Sequence, residues 1–259
     1  MKQIIKYDWL LVIAVLVFIE LIIQPVGEFP LNDDWAYSKT IYNYLNSGQL
    51  TFSFWQGFPD LPRFLVSLLF CKLFGFSFTL LRIITFVTLL FAVIVFSRNL
   101  KALHIHPPYR ILLHGLLFFN PLTLLLSNTY LSDVFQLLLT LISFQYMLLF
   151  FTTEKRTHYG LFIVFSLIAT LNRQISLVIP FAFIPIYFYA IEKQKQKIAL
   201  SILPFAINCV GIFVYAFLAE QNALLPGNYH LQSKRILTAI SNPSLGAVSY
   251  THLSRRSKF

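Results

Sequence analysis

Asp33 and Asp34 stand side by side in the run Asn32-Asp33-Asp34-Trp35-Ala36-Tyr37, just past the first long apolar segment. Adjacent carboxylates suit general-base chemistry, because each charge shifts the proton affinity of the other, and they also suit electrostatic or metal contacts. The same residues fit a helix N-cap, where unpaired backbone N–H groups and the macrodipole favour an acid. Spacing alone leaves both readings open. Asp133 poses the same choice, since it precedes an apolar segment by one residue and could simply cap it. Arg173 is of another kind: Asn172-Arg173-Gln174 divides two apolar stretches with almost no loop. A guanidinium kept at such a place needs an acid, Asp133 or Asp33, or an anionic ligand such as a phosphate, whose shape matches its planar fork. Arg63 and Lys72, on the run 61–74, could also reach lipid phosphates, and Arg82 follows the Gly75-Phe76-Ser77 turn. At that position a structural or lipid-facing role, snorkelling to headgroups, is the ordinary one.

The elements that position these residues are set by an unusual composition. Hydrophobic residues make up 57% of the chain and charged residues 12%, with 28 Phe, and the mean hydropathy is +0.70. Soluble domains carry about a quarter charged residues, so the chain reads as an integral membrane protein. The net charge of +10 comes from Lys and Arg clusters between apolar runs. That pattern encodes membrane topology and argues against a nucleic-acid partner. Cys71 and Cys209 lie in apolar stretches without ligand-like spacing and read as small buried hydrophobes.

Apolar runs cover residues 9–23, 80–96, 111–126, 134–151, 159–171, 175–191 and 198–219, which predicts an all-α, polytopic transmembrane helix bundle of about seven spans. The first lacks a small-residue cleavage motif and reads as a retained anchor. The run 61–74 is short and interrupted by Arg63 and Lys72. If it lies in the interface, Lys2, Lys6, Arg98, Lys101, Arg110, Lys155, Arg156, Lys193, Lys195 and Lys197 all share the cytoplasmic side with the N-terminus. Glu28, Asp33, Asp34, Asp60, Asp133, Glu220 and Arg173 then share the outer face. The first outer loop is therefore expected to hold membrane-parallel helices. One begins at Asn32 or Asp33, shows Tyr37, Ile41, Tyr44 and Leu45 as an apolar stripe, and stops at Asn46-Ser47-Gly48.

Taken in order, the Asn32–Tyr37 run with Ser47-Gly48 behind it, Leu73–Arg82, Asn120-Pro121-Leu122, Ser127–Val134 and Asn172-Arg173-Gln174 resemble the bacterial membrane glycosyltransferases of the GT-C superfamily. Relatives in that superfamily include protein O-mannosyltransferases and the aminoarabinose transferase that modifies lipid A. The resemblance implies a catalytic module over 1–219, a multi-pass inner (plasma) membrane protein with an extracytoplasmic active site, and a polyprenyl-phosphate sugar as donor. It implies a catalytic role for Asp33 with Asp34 as neighbour, a second acidic site at Asp133, and donor-phosphate contact by Arg173. Where some relatives carry Lys-Pro the chain has Leu61-Pro62 with Arg63 behind, so Arg63 is the other candidate phosphate contact. Arg82 matches a basic position with a structural role. Residues 220–247 read as an extracytoplasmic segment. Val248-Ser249-Tyr250-Thr251-His252-Leu253 resembles translated sequencing-library adapter, which marks 248–259 as adapter-derived and the chain as an N-terminal fragment.

The implied reaction is inverting transfer of a hexosyl or pentosyl group from the lipid phosphate to a glycan, lipid or protein acceptor, with Asp33 removing the acceptor's proton. A divalent metal (Mg or Mn) between Asp33, Asp34 and Asp133 suits the chemistry of carboxylates, yet no residue is assigned as a metal ligand. The competing reading is a transporter or lipid-carrier flippase. Such proteins tend to carry ionisable groups near the bilayer midplane and internal repeats, whereas these groups sit at one boundary and no repeat is evident.

Overall fold

The computed structural model describes residues 7–31, 33–190, 197–229 and 231. Asn32, Lys2, Lys6, Lys193, Lys195 and the tail 248–259 lie outside the described residues. Among those described the structure is all helical, with no strand: α1 (Asp8–Ile23), α2 (Asp34–Ser47), α3 (Leu61–Phe74), α4 (Phe78–Ala102), α5 (Pro107–Phe118), α6 (Pro121–Ser127), α7 (Ser132–Thr153), α8 (Arg156–Asn172), a 3-10 turn (Gln174–Leu177), α9 (Val178–Ala190) and α10 (Lys197–Gln221).

Among the described residues three helices are long and apolar enough to cross a membrane: Phe78–Ala102, Ser132–Thr153 and Ile198–Gln221. The count is four if α5 and α6, bent by 62° at their junction, form one span. This is coarser than the seven apolar runs, and helix length is the reason. The 16, 17 and 13 residues of α1, α8 and α9 rise only ~24, ~25 and ~20 Å at 1.5 Å per residue, against a hydrocarbon core of about 30 Å. The α5–α6 break is written locally. Pro121 cannot continue α5, and Asn120 caps α6 by accepting from the Thr123 N–H at 2.9 Å. The Asn120 amide also donates to the Leu117 carbonyl at 2.7 Å, satisfying a backbone group that the end of α5 leaves open.

α7 lies between α4 and α8 and makes its main contacts with both. One apolar core joins α1, α4, α5 and α7 around Leu16, Leu89, Val93 and Phe118. A second, aromatic one joins α7, α8 and α9 around Met147, Phe162 and Phe183. The third seats α2 and α3 on the start of α4: Ile41 is fully buried, and Tyr37, Tyr44 and Leu45 pack around Phe64, Leu81 and Tyr130. The expected stripe of α2 therefore faces protein. Gly48, at φ 70, lets the chain turn out of α2 while its N–H reaches the Tyr44 carbonyl. Ser77 starts α4 by accepting from the Leu80 N–H at 3.2 Å. Cys71 is buried, Cys209 half-buried, and both are free.

Candidate active site

The two loop acids have different fates. Asp33 occupies the N-cap position of α2 but makes no side-chain cap bond, and its side chain is exposed. Asp34 is fully buried. Its Oδ1 accepts the Tyr130 backbone N–H at 2.7 Å, and its Oδ2 accepts from the Leu31 N–H at 3.3 Å and from Arg82 Nε at 3.4 Å. Burial raises the Asp34 carboxyl above the ordinary range, while the two N–H groups and Arg82 pull the other way. The rest of the Arg82 guanidinium donates to the carbonyls of Pro25, Gly27 and Phe29. Arg82 is thus buried inside the loop, away from lipid, and pairs with Asp34 to pin both ends of that loop to α4. Each Asp34 oxygen thus has a donor within a fully buried setting.

Arg63 does not fit the expected role of phosphate ligand. It is 3% exposed, its Nε donates to Asp60 Oδ2 at 2.6 Å, and its Nη1 donates to the Tyr130 carbonyl at 3.2 Å. The guanidinium is also sandwiched between the rings of Tyr37, 4.5 Å away, and Tyr130, 4.2 Å away. Three-residue spacing on one helix turn brings Asp60 and Arg63 together. A buried arginine held by a carboxylate, a carbonyl and two aromatic faces is committed to the protein interior. Asp60 is 2% exposed and its Oδ1 is buried without a hydrogen-bond partner. Loss of solvent raises the Asp60 carboxyl, with Arg63 opposing that shift.

Asp60 lines a cavity of about 470 Å³ together with Tyr37, Phe58, Ser132, Asn172 and Arg173. α2, the α2–α3 loop, the start of α7 and the end of α8 all contribute to it. Arg173 sits in extended backbone between α8 and the 3-10 turn, with its N–H on the Ala169 carbonyl at 2.9 Å. Its side chain pairs with Asp133, and the two remain 40% and 35% exposed. Asn172, fully buried, donates to Gln136 Oε1 at 2.8 Å and leaves its own Oδ1 without a partner. The cavity thus has a reachable cation in its lining, and two of its lining residues, Asp60 and Asn172, each carry a buried oxygen without a hydrogen-bond partner.

No family model, curated protein or solved structure matches this chain. The likeness to GT-C enzymes therefore rests on the order of its motifs, and the geometry has to be weighed by itself. Of the predicted residues, the structure joins Asp133 to Arg173 at the cavity and Asp34 to Arg82 behind it. Asp33 is exposed at the start of α2 and is not among the residues lining this cavity. No group of three or more His, Cys, Asp or Glu side chains that could hold a metal exists among the described residues. The carboxylates at 33, 34 and 133 do not fit Mg or Mn, because each has a separate environment. In the sequence Asp60 stands out only as one of the outer acids. Its signal was Asp60-Leu61-Pro62-Arg63, an acid three residues before a base at a helix start.

Proposed function

We propose that the chain is a glycosyltransferase of the inner membrane that moves a sugar from a polyprenyl-phosphate donor to an extracytoplasmic acceptor with inversion. The observation that carries this reading is the cavity in which half-exposed Arg173 faces a wall containing the Asp60 carboxylate. An anionic ester and a hydroxyl that must lose a proton are the two partners such a wall accommodates. The reading takes the chain across the bilayer seven times, with α1, α8 and α9 nearly upright and α2 and α3 lying along the outer surface. The donor's tail stays in lipid and its phosphate stands at the headgroup level. Arg173 then exchanges Asp133 for the phosphate and stabilises the charge that grows as the lipid phosphate departs. The acceptor hydroxyl or amine attacks the anomeric carbon directly, and its proton passes to a carboxylate.

Proteoliposomes test this. The chain is supplied with radiolabelled undecaprenyl-phosphate mannose, glucose or arabinose as donor and total cell-envelope lipid and protein as acceptor. Label is expected to move from one donor into an acceptor, and Arg173→Gln is expected to lower that movement. Label that never leaves any donor, or that crosses the bilayer still attached to its lipid, overturns the reading in favour of carrier transport. Orientation is checked separately: Thr51→Cys, exposed in the loop after α2, should react with an impermeant maleimide in intact cells, and Gln194→Cys should not.

A further inference from the structure

Asp133 and Gln136 stand three residues apart on α7, which puts them on the same side of the helix, and both reach across to the break between α8 and the 3-10 turn. Asp133 takes the side chain of Arg173, while Gln136 takes residues on either side of it. Gln136 Oε1 accepts from the Asn172 amide at 2.8 Å, and Nε2 donates to the Ser176 hydroxyl and, at 3.3 Å, to the Thr140 hydroxyl. Gln136, Asn172 and Ser176 are all buried. An amide inside a helix bundle is costly unless both its ends are bonded, and this one directs two of its three bonds to a single short stretch of chain. Arg173 is the extended residue of that stretch, at φ −150 and ψ 129. Its N–H bonds the Ala169 carbonyl at 2.9 Å, and its carbonyl accepts the Ser176 N–H at 3.1 Å.

We infer that Gln136 is the positioning residue of the donor site, stapling α8 to the 3-10 turn and so aiming the Arg173 guanidinium at the lipid phosphate, an inference that rests on the transfer reading above. On that reading Arg173 lets go of Asp133 when the phosphate arrives. The direction of its side chain is then set by its own backbone, and that backbone follows the angle at which α8 meets the 3-10 turn. Gln136 fixes this angle from a third element, α7, by gripping Asn172 before the break and Ser176 after it. Without the grip the guanidinium samples several directions, and ordering it on the phosphate takes away part of the binding free energy. Gln136 is not among the residues lining the cavity, so it acts through the neighbours it holds.

The test measures binding of undecaprenyl phosphate to the full chain in proteoliposomes, a readout that needs no acceptor. Gln136→Leu keeps the bulk and removes all three bonds. It is expected to weaken binding roughly tenfold, and the double variant with Arg173→Gln should bind no more weakly than Arg173→Gln alone. Losses that simply add overturn the assignment, because a residue that only supports the bundle acts independently of Arg173. Since Leu strands the Asn172 amide, a second variant guards against misfolding. Ser176→Ala deletes one hydroxyl, should keep the unfolding midpoint near the wild-type value, and should weaken binding about threefold, only where Arg173 is present. Wild-type affinity in folded Gln136→Leu, or in Ser176→Ala where Gln136→Leu does not fold, overturns the positioning role. A wild type that does not bind undecaprenyl phosphate, or Arg173→Gln that binds it as tightly as the wild type, instead removes the phosphate reading beneath the inference.

Discussion

At one end of the bundle Asp8 of α1, 2% exposed, receives the Ser97 hydroxyl at 2.8 Å and forms ion pairs with Lys101 of α4 at 3.2 Å and Arg110 of α5 at 3.1 Å. At the other end Asp60, equally buried, has one cation, Arg63, and one oxygen without a donor. The first acid is encircled from three directions and ties α1, α4 and α5 together. The second is held on one side and borders a cavity on the other. Each acid keeps one oxygen without a hydrogen bond, Asp8 Oδ2 and Asp60 Oδ1, and what differs is that two cations close on Asp8 while Asp60 has one and borders a cavity. A carboxylate closed in by two cations is a structural joint, and one with a single cation beside a void is where a substrate group finds a partner.

Breaking the joints should cost stability, and breaking the cavity should cost binding. Arg82→Ala strands buried Asp34 and is expected to destabilise the protein by about 3–5 kcal/mol, read as a fall in the thermal unfolding midpoint in detergent. Asp8→Asn should lower the same midpoint by a smaller amount while kcat stays at the wild-type value, since Asp8 lies at the far end of α4 from the cavity. A loss of kcat with full stability in Asp8→Asn would erase the distinction between the two ends. Arg173→Gln removes a half-exposed cation and should weaken undecaprenyl phosphate binding by roughly tenfold or more, with unfolding shifted little. The smallest effect belongs to Glu28, whose carboxylate accepts the Ser77 hydroxyl and the Phe78 N–H at the start of α4. The Ser77 bond leads in holding its carboxyl below the ordinary glutamate range. A lowered folded value gives stability that is present above the unfolded value and lost as pH falls through the folded one. Glu28→Gln should therefore slightly reduce stability at neutral pH and flatten its decline in acid, by only a few tenths of a kcal/mol because the site is exposed.

Much of this architecture was legible in the sequence. The apolar runs gave the helices, Gly48 gave the end of α2, and the almost loopless Asn172-Arg173-Gln174 gave a cation facing an acid. What escaped was three-dimensional. Asp33 and Asp34 are chemically identical neighbours, and only the packing of α2 on α4 sends one outward and the other onto Arg82. Arg63 looked like an interfacial base because its helix is short and apolar, yet two tyrosines from distant parts of the chain enclose it. Tyr37 belongs to an apolar stripe and Tyr130 to a motif, and no local signal announces that their rings meet a guanidinium. The difference between seven apolar runs and three or four membrane-length helices has a local origin too: α1, α8 and α9 are short, and Asn120-Pro121 breaks the run 111–126.

Tyr215 of α10 donates its hydroxyl to the Pro59 carbonyl at 2.6 Å, across 156 residues of chain. That carbonyl belongs to the residue just before Asp60, and Phe58 packs edge-on against the same tyrosine ring at 5.5 Å. During synthesis the α2–α3 loop leaves the ribosome long before this anchor exists. Final tightening of the wall around Asp60 must therefore wait for α10 to be inserted, so the site is completed well after most of its residues are made.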